Sequence, residues 1–274
     1  MKPEDYPEQD EVSEFARAYV NKITKLGSSV SGEDVMYGSN PYQSIGIHCP
    51  KNPSGSVFMF IHGGGWTTGY KEWNNFMAPL LLANNIIFVT VGYRLAPIDL
   101  FPAGLNDCVD AVTWVYKNIE KYGGDTSQIY LGGHSAGGHY ASLISVSNEW
   151  QEQANVPLDV IRGCVPVSGV FLFGEGSGLT QHPRFLGKEG NGMAKKASPI
   201  LFVNKPTPKF FISYGDSDFP HLITQALKME QALKKVGTKV TRLEMAGCDH
   251  LEAHLETSSP NGNWLKTLTS FMSI

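Results

Sequence analysis

The segment Gln128-Ile129-Tyr130-Leu131-Gly132-Gly133-His134-Ser135-Ala136-Gly137-Gly138 constrains this chain more than any other. It reads as a short buried strand that runs into a glycine-flanked serine and then into a helix, the context a G-x-S-x-G nucleophile elbow requires. Glycine is needed on both sides because the turn strains the serine backbone. A side chain at Gly133 or Gly137 would meet the neighbouring strand or helix. Ser135 is then expected to stand exposed above a sheet.

A second constraint lies upstream. Val57-Phe58-Met59-Phe60-Ile61 is a short, wholly apolar run that reads as a buried strand, and it ends in His62-Gly63-Gly64-Gly65-Trp66. A glycine run after a strand can aim several backbone N–H groups at one point. Acyl transfer creates a tetrahedral oxyanion, and removing one preorganised donor to such an oxyanion costs roughly 2.7–4 kcal/mol. Gly64, Gly65 and Ala136, the residue just after the serine, are the expected oxyanion-hole donors. Alone, H-G-G-G-W would equally describe a solvent-facing turn.

These two motifs, with Tyr93-Arg94-Leu95-Ala96-Pro97 and Phe101-Pro102-Ala103, resemble the α/β-hydrolase superfamily. Within it they are similar to carboxylesterases of the hormone-sensitive-lipase type and their shorter relatives. The stretch Tyr37–Ile47 resembles the strand pair that opens small esterases and arylformamidases. The similarity runs from about Tyr37 to about His250. It implies an α/β architecture, the α/β-hydrolase fold, with a mostly parallel central sheet, helices on both faces and a short cap.

Composition and periodicity agree with that expectation. A chain of 274 residues with 42% hydrophobic content can fill one large core, so one α/β domain over residues 1–274 is expected. The net charge is −4 and no Lys/Arg cluster occurs, which offers no field for nucleic acid or an anionic membrane. The N-terminal residues lack the apolar core of a leader peptide. No apolar run approaches the ~18 residues that span a bilayer, and the expected location is cytoplasmic. Cys49, Cys108, Cys164 and Cys248 are scattered without metal-type spacing and read as free thiols, with a redox role for Cys248 as a minor alternative. An edge strand could support a homodimer.

The spacing of apolar residues predicts an N-terminal helix over about 11–26, lying on the sheet edge or the active-site mouth. An antiparallel strand pair follows at about 30–49, then a helix from Glu72 to Ala83 and a central strand from Ile86 to Val91. Leu105, Cys108, Val109, Val112, Tyr116 and Ile119 mark one helical face, closed by Gly123-Gly124. Strands are expected at Ile161–Ser168, Lys209–Tyr214 and Lys239–Met245. The insertion between the first two of these, about 169–208, is too short for a multi-helix lid and is expected as a small cap over the site.

A serine hydroxyl needs an imidazole to take its proton and a carboxylate to orient that imidazole. In an α/β-hydrolase chain the order is serine, acid, histidine. Gly215-Asp216-Ser217-Asp218 offers two carboxylates in one loop. Similarity to the G-x-x-D pattern of esterases favours Asp218, which leaves Asp216 as a turn residue bonded to its own backbone. His250, in the loop before the last helices, stands where this fold places its catalytic imidazole. His254, one helical turn on, reads as a surface residue. His62 is expected to brace the glycine loop, His134 to point away from substrate, and His139 to make a buried polar contact. His48, His182 and His221 have no evident partners. Arg94 and Asp107 read as structural, the latter held by N–H groups at the start of a helix.

The implied reaction is hydrolysis of a small ester through an acyl-enzyme on Ser135, with no metal or organic cofactor. Trp66, Tyr70, Trp73, Phe171 and Phe173 could form an aromatic substrate lining, or equally ordinary core. Arylformamidases share Gly133–His139 and Asp249–Glu252 with this chain but typically carry a bulkier residue at the position of Gly65. A ligand receptor that lost turnover is a third reading, which fold alone does not exclude.

Overall fold

The apolar runs assemble into one eight-stranded sheet. Its strands are β1 (Glu33–Met36), β2 (Ser44–His48), β3 (Val57–Ile61), β4 (Ile87–Val91), β5 (Ile129–His134), β6 (Gly163–Val167), β7 (Lys209–Gly215) and β8 (Val240–Met245). The computed structural model describes residues 1–147, 149–179 and 182–273. The strand order is β1-β2-β4-β3-β5-β6-β7-β8. β1 and β4 each pair antiparallel with β2, and the pairings from β4 to β8 are all parallel. Strands β2 to β6 are buried at every position, which is why β3 reads as an unbroken apolar run and β4 nearly so. At the edge, β8 exposes Thr241, Arg242 and Glu244, charges that discourage further pairing.

The helices among the described residues are α1 (Glu14–Gly27), α2 (Ala78–Ala83), α3 (Ala103–Asn118), α4 (Ala136–Val146), α5 (Glu149–Ala154), α6 (Pro183–Leu186), α7 (Met193–Lys196), α8 (Pro220–Lys235), α9 (His250–Glu256) and α10 (Asn263–Met272). Successive side chains of a strand point to opposite faces, and β3 divides accordingly. Val57, Met59 and Ile61 join a core with Val112 and Ile144, whereas Phe58 and Phe60 join a second core with Ile23, Trp264 and Leu268.

Local chemistry sets the element ends. α1 begins at Glu14, a few residues later than the apolar spacing predicts, because Ser13 Oγ accepts the Ala16 N–H and caps it. The helix predicted from Glu72 to Ala83 is two elements, a 3-10 stretch Lys71–Met77 and then α2. Pro79 explains the break: it lacks an N–H and its ring would strike the carbonyl of Asn75 in a continuous helix. The insertion at 169–208, whose residues 180 and 181 lie outside the described residues, holds α6, α7 and a 3-10 turn at Pro199–Phe202.

Asp107 is structural, but the reason differs from the sequence expectation. It is the fifth residue of α3, past the free N–H groups of the first turn. Its carboxylate instead accepts from Arg94 N, Nε and Nη2 at 2.9, 2.9 and 2.8 Å and from Gln43 Nε2 at 2.8 Å. One buried carboxylate thereby ties the 93–102 loop, α3 and the turn before β2 together. Removing one partner of such a pair costs about 3–5 kcal/mol when both are buried. Arg94 is 29% exposed and can re-solvate, so Asp107→Ala should cost roughly 2–3 kcal/mol in urea unfolding. An unchanged midpoint would show that the tie contributes nothing.

Candidate active site

β5 and α4 are joined by Ser135 alone, whose backbone sits at φ 53° and ψ −115°, in the left-handed range that costs a non-glycine residue energy. The flanking glycines meet the requirement read from the motif. A Cβ on Gly133 would lie 2.4 Å from the Gly137 carbonyl carbon, and one on Gly137 would lie 2.0 Å from Ile61 O. Ser135 N donates to Val167 O at 2.9 Å, which ties the turn to the end of β6.

The loops that carry Asp218 and His250 are joined by a similar contact. A Cβ on Gly215, the last residue of β7, would lie 2.0 Å from Cys248 O, and Ser217 N donates to that same oxygen at 3.0 Å. Beyond Gly215 the chain buries Asp218, whose Oδ1 accepts from Phe219 N at 2.7 Å and pairs with His250 Nδ1 at 2.8 Å. His250 Nε2 lies 2.9 Å from Ser135 Oγ. The imidazole is held by its backbone too. Asp249 caps α9, accepting from Leu251 N and Glu252 N at 2.8 Å, while Glu252 returns a bond to Asp249 N at 3.0 Å.

Asp216 does different work. It is exposed, and its Oδ2 accepts from Gly247 N at 2.9 Å, so it pins the histidine loop and never touches the imidazole. Burial by itself would raise the Asp218 carboxyl. The hydrogen bond and charge of His250, helped by the Ser168 hydroxyl and Phe219 N–H, outweigh burial and hold it below the usual carboxylate value.

The glycine loop faces this array. Gly64 (φ 111°) and Gly65 (φ 60°) share a cavity of about 310 Å³ with Ser135 and His250. Gly64 is obligatory, since a Cβ there would lie 1.9 Å from Thr68 O. Ala136 opens α4, where a first-turn N–H has no partner within the helix.

Comparison with known proteins gives the family and the fold. The BD-FAE family model matches residues 45–233. The chain belongs to the BD-FAE family. It is 26% identical over 250 residues to a probable isoprenylcysteine alpha-carbonyl methylesterase, ICMEL1 of Arabidopsis thaliana, covering 83% of this chain and 52% of that one. The chain thus spans about half the length of that curated relative. It is 28% identical to a kynurenine formamidase of Danio rerio, over 85% of this chain and 81% of the relative. The solved carboxylesterase EstE1, cloned from a metagenomic library, shares 20% identity over 96% of both chains with a TM-score of 0.75, and so shares the α/β-hydrolase fold.

In this BD-FAE chain the cavity walls differ from those read in the sequence. Of the five aromatic candidates only Trp73 lines the cavity. Trp66 stacks on Phe185 at 4.3 Å and donates Nε1–H to His139 Nδ1 at 3.1 Å, Phe173 packs 5.4 Å from Trp66, Phe171 is core, and Tyr70 packs on Tyr6 at 4.8 Å. The insertion at 169–208 contributes none of the described residues lining the cavity. Its roof is α1, through Phe15, Ala16, Tyr19 and Val20, with Phe219 at the mouth. The signal was the apolar face of α1, and for Phe219 its place directly after the acid.

The histidines also sort differently. His62 does brace the glycine loop, through Nδ1 to Gly63 O, and His139 is satisfied by Trp66 and Ala197 O. His48 has Ser31 O as a partner, His182 packs edge-on to Trp66 at 5.5 Å, and His221 stacks on Phe219 at 5.8 Å. Two readings are corrected. His254 is buried rather than on the surface, hydrogen-bonded to the Tyr19 hydroxyl, because residues four apart on a helix share a face. His134 lines the cavity instead of pointing away from it. Among the described residues, no group of three or more His, Cys, Asp or Glu side chains is placed to hold a metal, and no helix is long and apolar enough to cross a membrane.

The lowered Asp218 value has a sign that can be tested. A carboxyl held lower in the folded state stabilises the fold fully above its unfolded value of about 3.9, and that stability is lost as pH falls through the folded value. Asp218→Asn should therefore show a shallower fall in thermal midpoint than wild type between roughly pH 5 and pH 2. Parallel profiles for the two proteins would contradict the assignment.

Proposed function

We propose that this protein is a serine carboxylesterase for short, uncharged esters. The observation that carries the reading is the continuous array from Asp218 through His250 to Ser135, at 2.8 and 2.9 Å, opening on a cavity walled by Gly64 and Gly65. Ser135 attacks the ester carbonyl as His250 takes its proton. Gly64, Gly65 and Ala136 N–H groups receive the oxyanion, and Asp218 keeps Nδ1 of the base protonated and stabilises the imidazolium. His250 then protonates the leaving alcohol. Water, deprotonated by the same imidazole, cleaves the acyl-enzyme.

The cavity supports the substrate class. At about 310 Å³ it suits a small group, and Trp73, Val20 and Phe15 make its walls largely apolar. No Lys or Arg lines it among the described residues, and Glu11 is its one acidic member, so an anionic group inside would have no counter-charge.

Formamide hydrolysis is the second reading, favoured by the kynurenine formamidase relative, of which this chain covers 81%. The same array can attack a formyl carbon. N-formylkynurenine, however, carries a carboxylate that the cavity does not compensate.

The test is hydrolysis of p-nitrophenyl esters from acetate to palmitate, with N-formylkynurenine alongside. Wild type should turn over the short esters, and Ser135→Ala should lose about 10⁴-fold or more in kcat while keeping its fold. Turnover confined to the formamide would move the protein to the second reading, and silence on every substrate would favour a binding role. The two aspartates should separate sharply in the same assay. Asp218→Asn is expected to lose on the order of 10⁴-fold in kcat and Asp216→Asn less than about tenfold. The reverse ranking would reassign the acid.

A further inference from the structure

The base is held from behind by a stack of neutral rings that the reaction scheme above does not use. His134, the residue directly before the nucleophile, is buried, and its Nε2 lies 2.9 Å from the backbone oxygen of His250, so Nε2 carries the proton and donates. Its ring stacks on His254 with centroids 4.6 Å apart and planes 13° apart, and it stands 4.9 Å from the His250 ring. His254 is sandwiched on its other side by Phe60 at 5.5 Å and 16°, with the edge of Phe76 at 5.0 Å. Its Nδ1 is hydrogen-bonded to the hydroxyl of Tyr19, which comes from α1 in the cavity roof.

This arrangement connects the two halves of the site through side chains. Ser135 leaves β5 and His250 begins α9, elements 115 residues apart in the chain. The Asp218 bond orients the imidazole, but a bond through Nδ1 does not fix how far the start of α9 stands from the elbow. The His134 bond does, because donor and nucleophile are consecutive residues and acceptor and base are the same residue. Shifting α9 relative to β5 would break that buried bond and unstack His254.

The stack must also be uncharged to serve. Burial, with the neighbouring imidazole of His250 acting in the same direction, pushes His134 down to about 3, and burial likewise holds His254 well below its ordinary value. A cation at either ring would oppose formation of the His250 imidazolium, which must appear as Ser135 gives up its proton.

We infer that His134 and His254, braced by Tyr19, are positioning residues that hold His250 at reacting distance from Ser135. The inference rests on the serine-esterase reading for its kinetic consequence. A misplacement near 1 Å can cost about 10²-fold in rate, so the loss should fall on kcat.

The experiment compares His134→Leu, His134→Gln, Tyr19→Phe and the Tyr19→Phe/His134→Leu double variant with wild type. Two rates are read: kcat and KM on p-nitrophenyl acetate, and the rate at which a fluorophosphonate labels Ser135. Labelling forms an Oγ–P bond and expels fluoride as the base takes the serine proton, so it reports the Ser135–His250 pair without depending on the ester chosen. His134→Leu should lower both kcat and the labelling rate by about 10- to 100-fold with KM within about twofold. Glutamine, which can present an N–H near the position of Nε2, should recover most of that loss. Tyr19→Phe should lower both rates a few-fold, and the double variant should be no worse than His134→Leu alone, the non-additivity expected of residues in one network.

His134→Leu within twofold of wild type, a loss confined to KM, or no recovery with glutamine at an unchanged thermal midpoint would overturn the inference. If His134→Leu does not fold, His134→Gln and Tyr19→Phe decide it: both rates unchanged in Tyr19→Phe with a large loss in His134→Gln would also overturn it. Labelling of Ser135 without turnover of any ester would reject the proposed substrate instead, and the labelling rates would still judge the bracket.

Discussion

Helix α4 approaches the end of β3 so closely that a Cβ on Gly137 would sit 2.0 Å from Ile61 O, and the other distances in the site depend on this contact. β3 and β5 are parallel neighbours with Ile61 opposite Gly133, so the glycine loop and the elbow leave the sheet at the same level. The approach of α4 then sets how far Ser135 stands from Gly64 and Gly65. At the other side of Ser135, Gly215 against Cys248 O brings the Asp218 loop to the His250 loop in the same way. These backbone contacts are costly locally. Glycine loses about 0.5–1 kcal/mol against alanine in regular structure, and a strained backbone such as that of Ser135 costs on the order of 1–3 kcal/mol. Five fully buried strands around them hold the geometry in place.

Burial then keeps the imidazoles around Ser135 and His250 neutral. Burial lowers His62 to about 4 and His134 and His139 to about 3, and takes His254 well below its ordinary value. Each acts as a flat, neutral ring with one or two hydrogen bonds, suited to packing between strands and loops. His250 differs because Asp218 pairs with it, the one His–carboxylate pair among the described residues. A site crowded with histidine thereby surrounds His250 with rings too buried to take up a charge of their own.

How much of this could be read beforehand followed from how local the cause was. The elbow and the glycine loop were legible because their requirement is steric and lies within a few residues. Asp216 and Asp218 follow the same strand, and only the likeness to the G-x-x-D pattern of esterases favoured Asp218. What distinguishes them is that one turns inward to His250 and the other reaches Gly247, a matter of how two distant loops meet. The break at Pro79 and the burial of His254 were within reach of local rules: a proline interrupts a helix, and a residue four after an inward-facing one also faces inward. The cavity roof was legible only as one of two alternatives. The apolar stripe on α1 placed the helix on the sheet edge or at the active-site mouth, and its residues line the cavity with Ser135.

That roof changes how the short insertion should be understood. Trp66 from the glycine loop and His139 from α4 are joined to it through the chain Trp66–His139–Ala197 O, with bonds of 3.1 and 2.6 Å, and Phe185 of the insertion stacks on Trp66. Moving the insertion would break bonds that also fix the glycine loop, so it is better suited to buttress the site than to open it. It is tied further by Gln225 of α8, which accepts from Phe171 N and Leu172 N and donates to Leu172 O and Ser177 O, whereas the Arg184–Asp10 pair lies at the surface and contributes little by comparison. Access to Ser135 then falls to the opposite wall, where Phe15 of α1 and Phe219 stand 6.0 Å apart, both well exposed, beside His250.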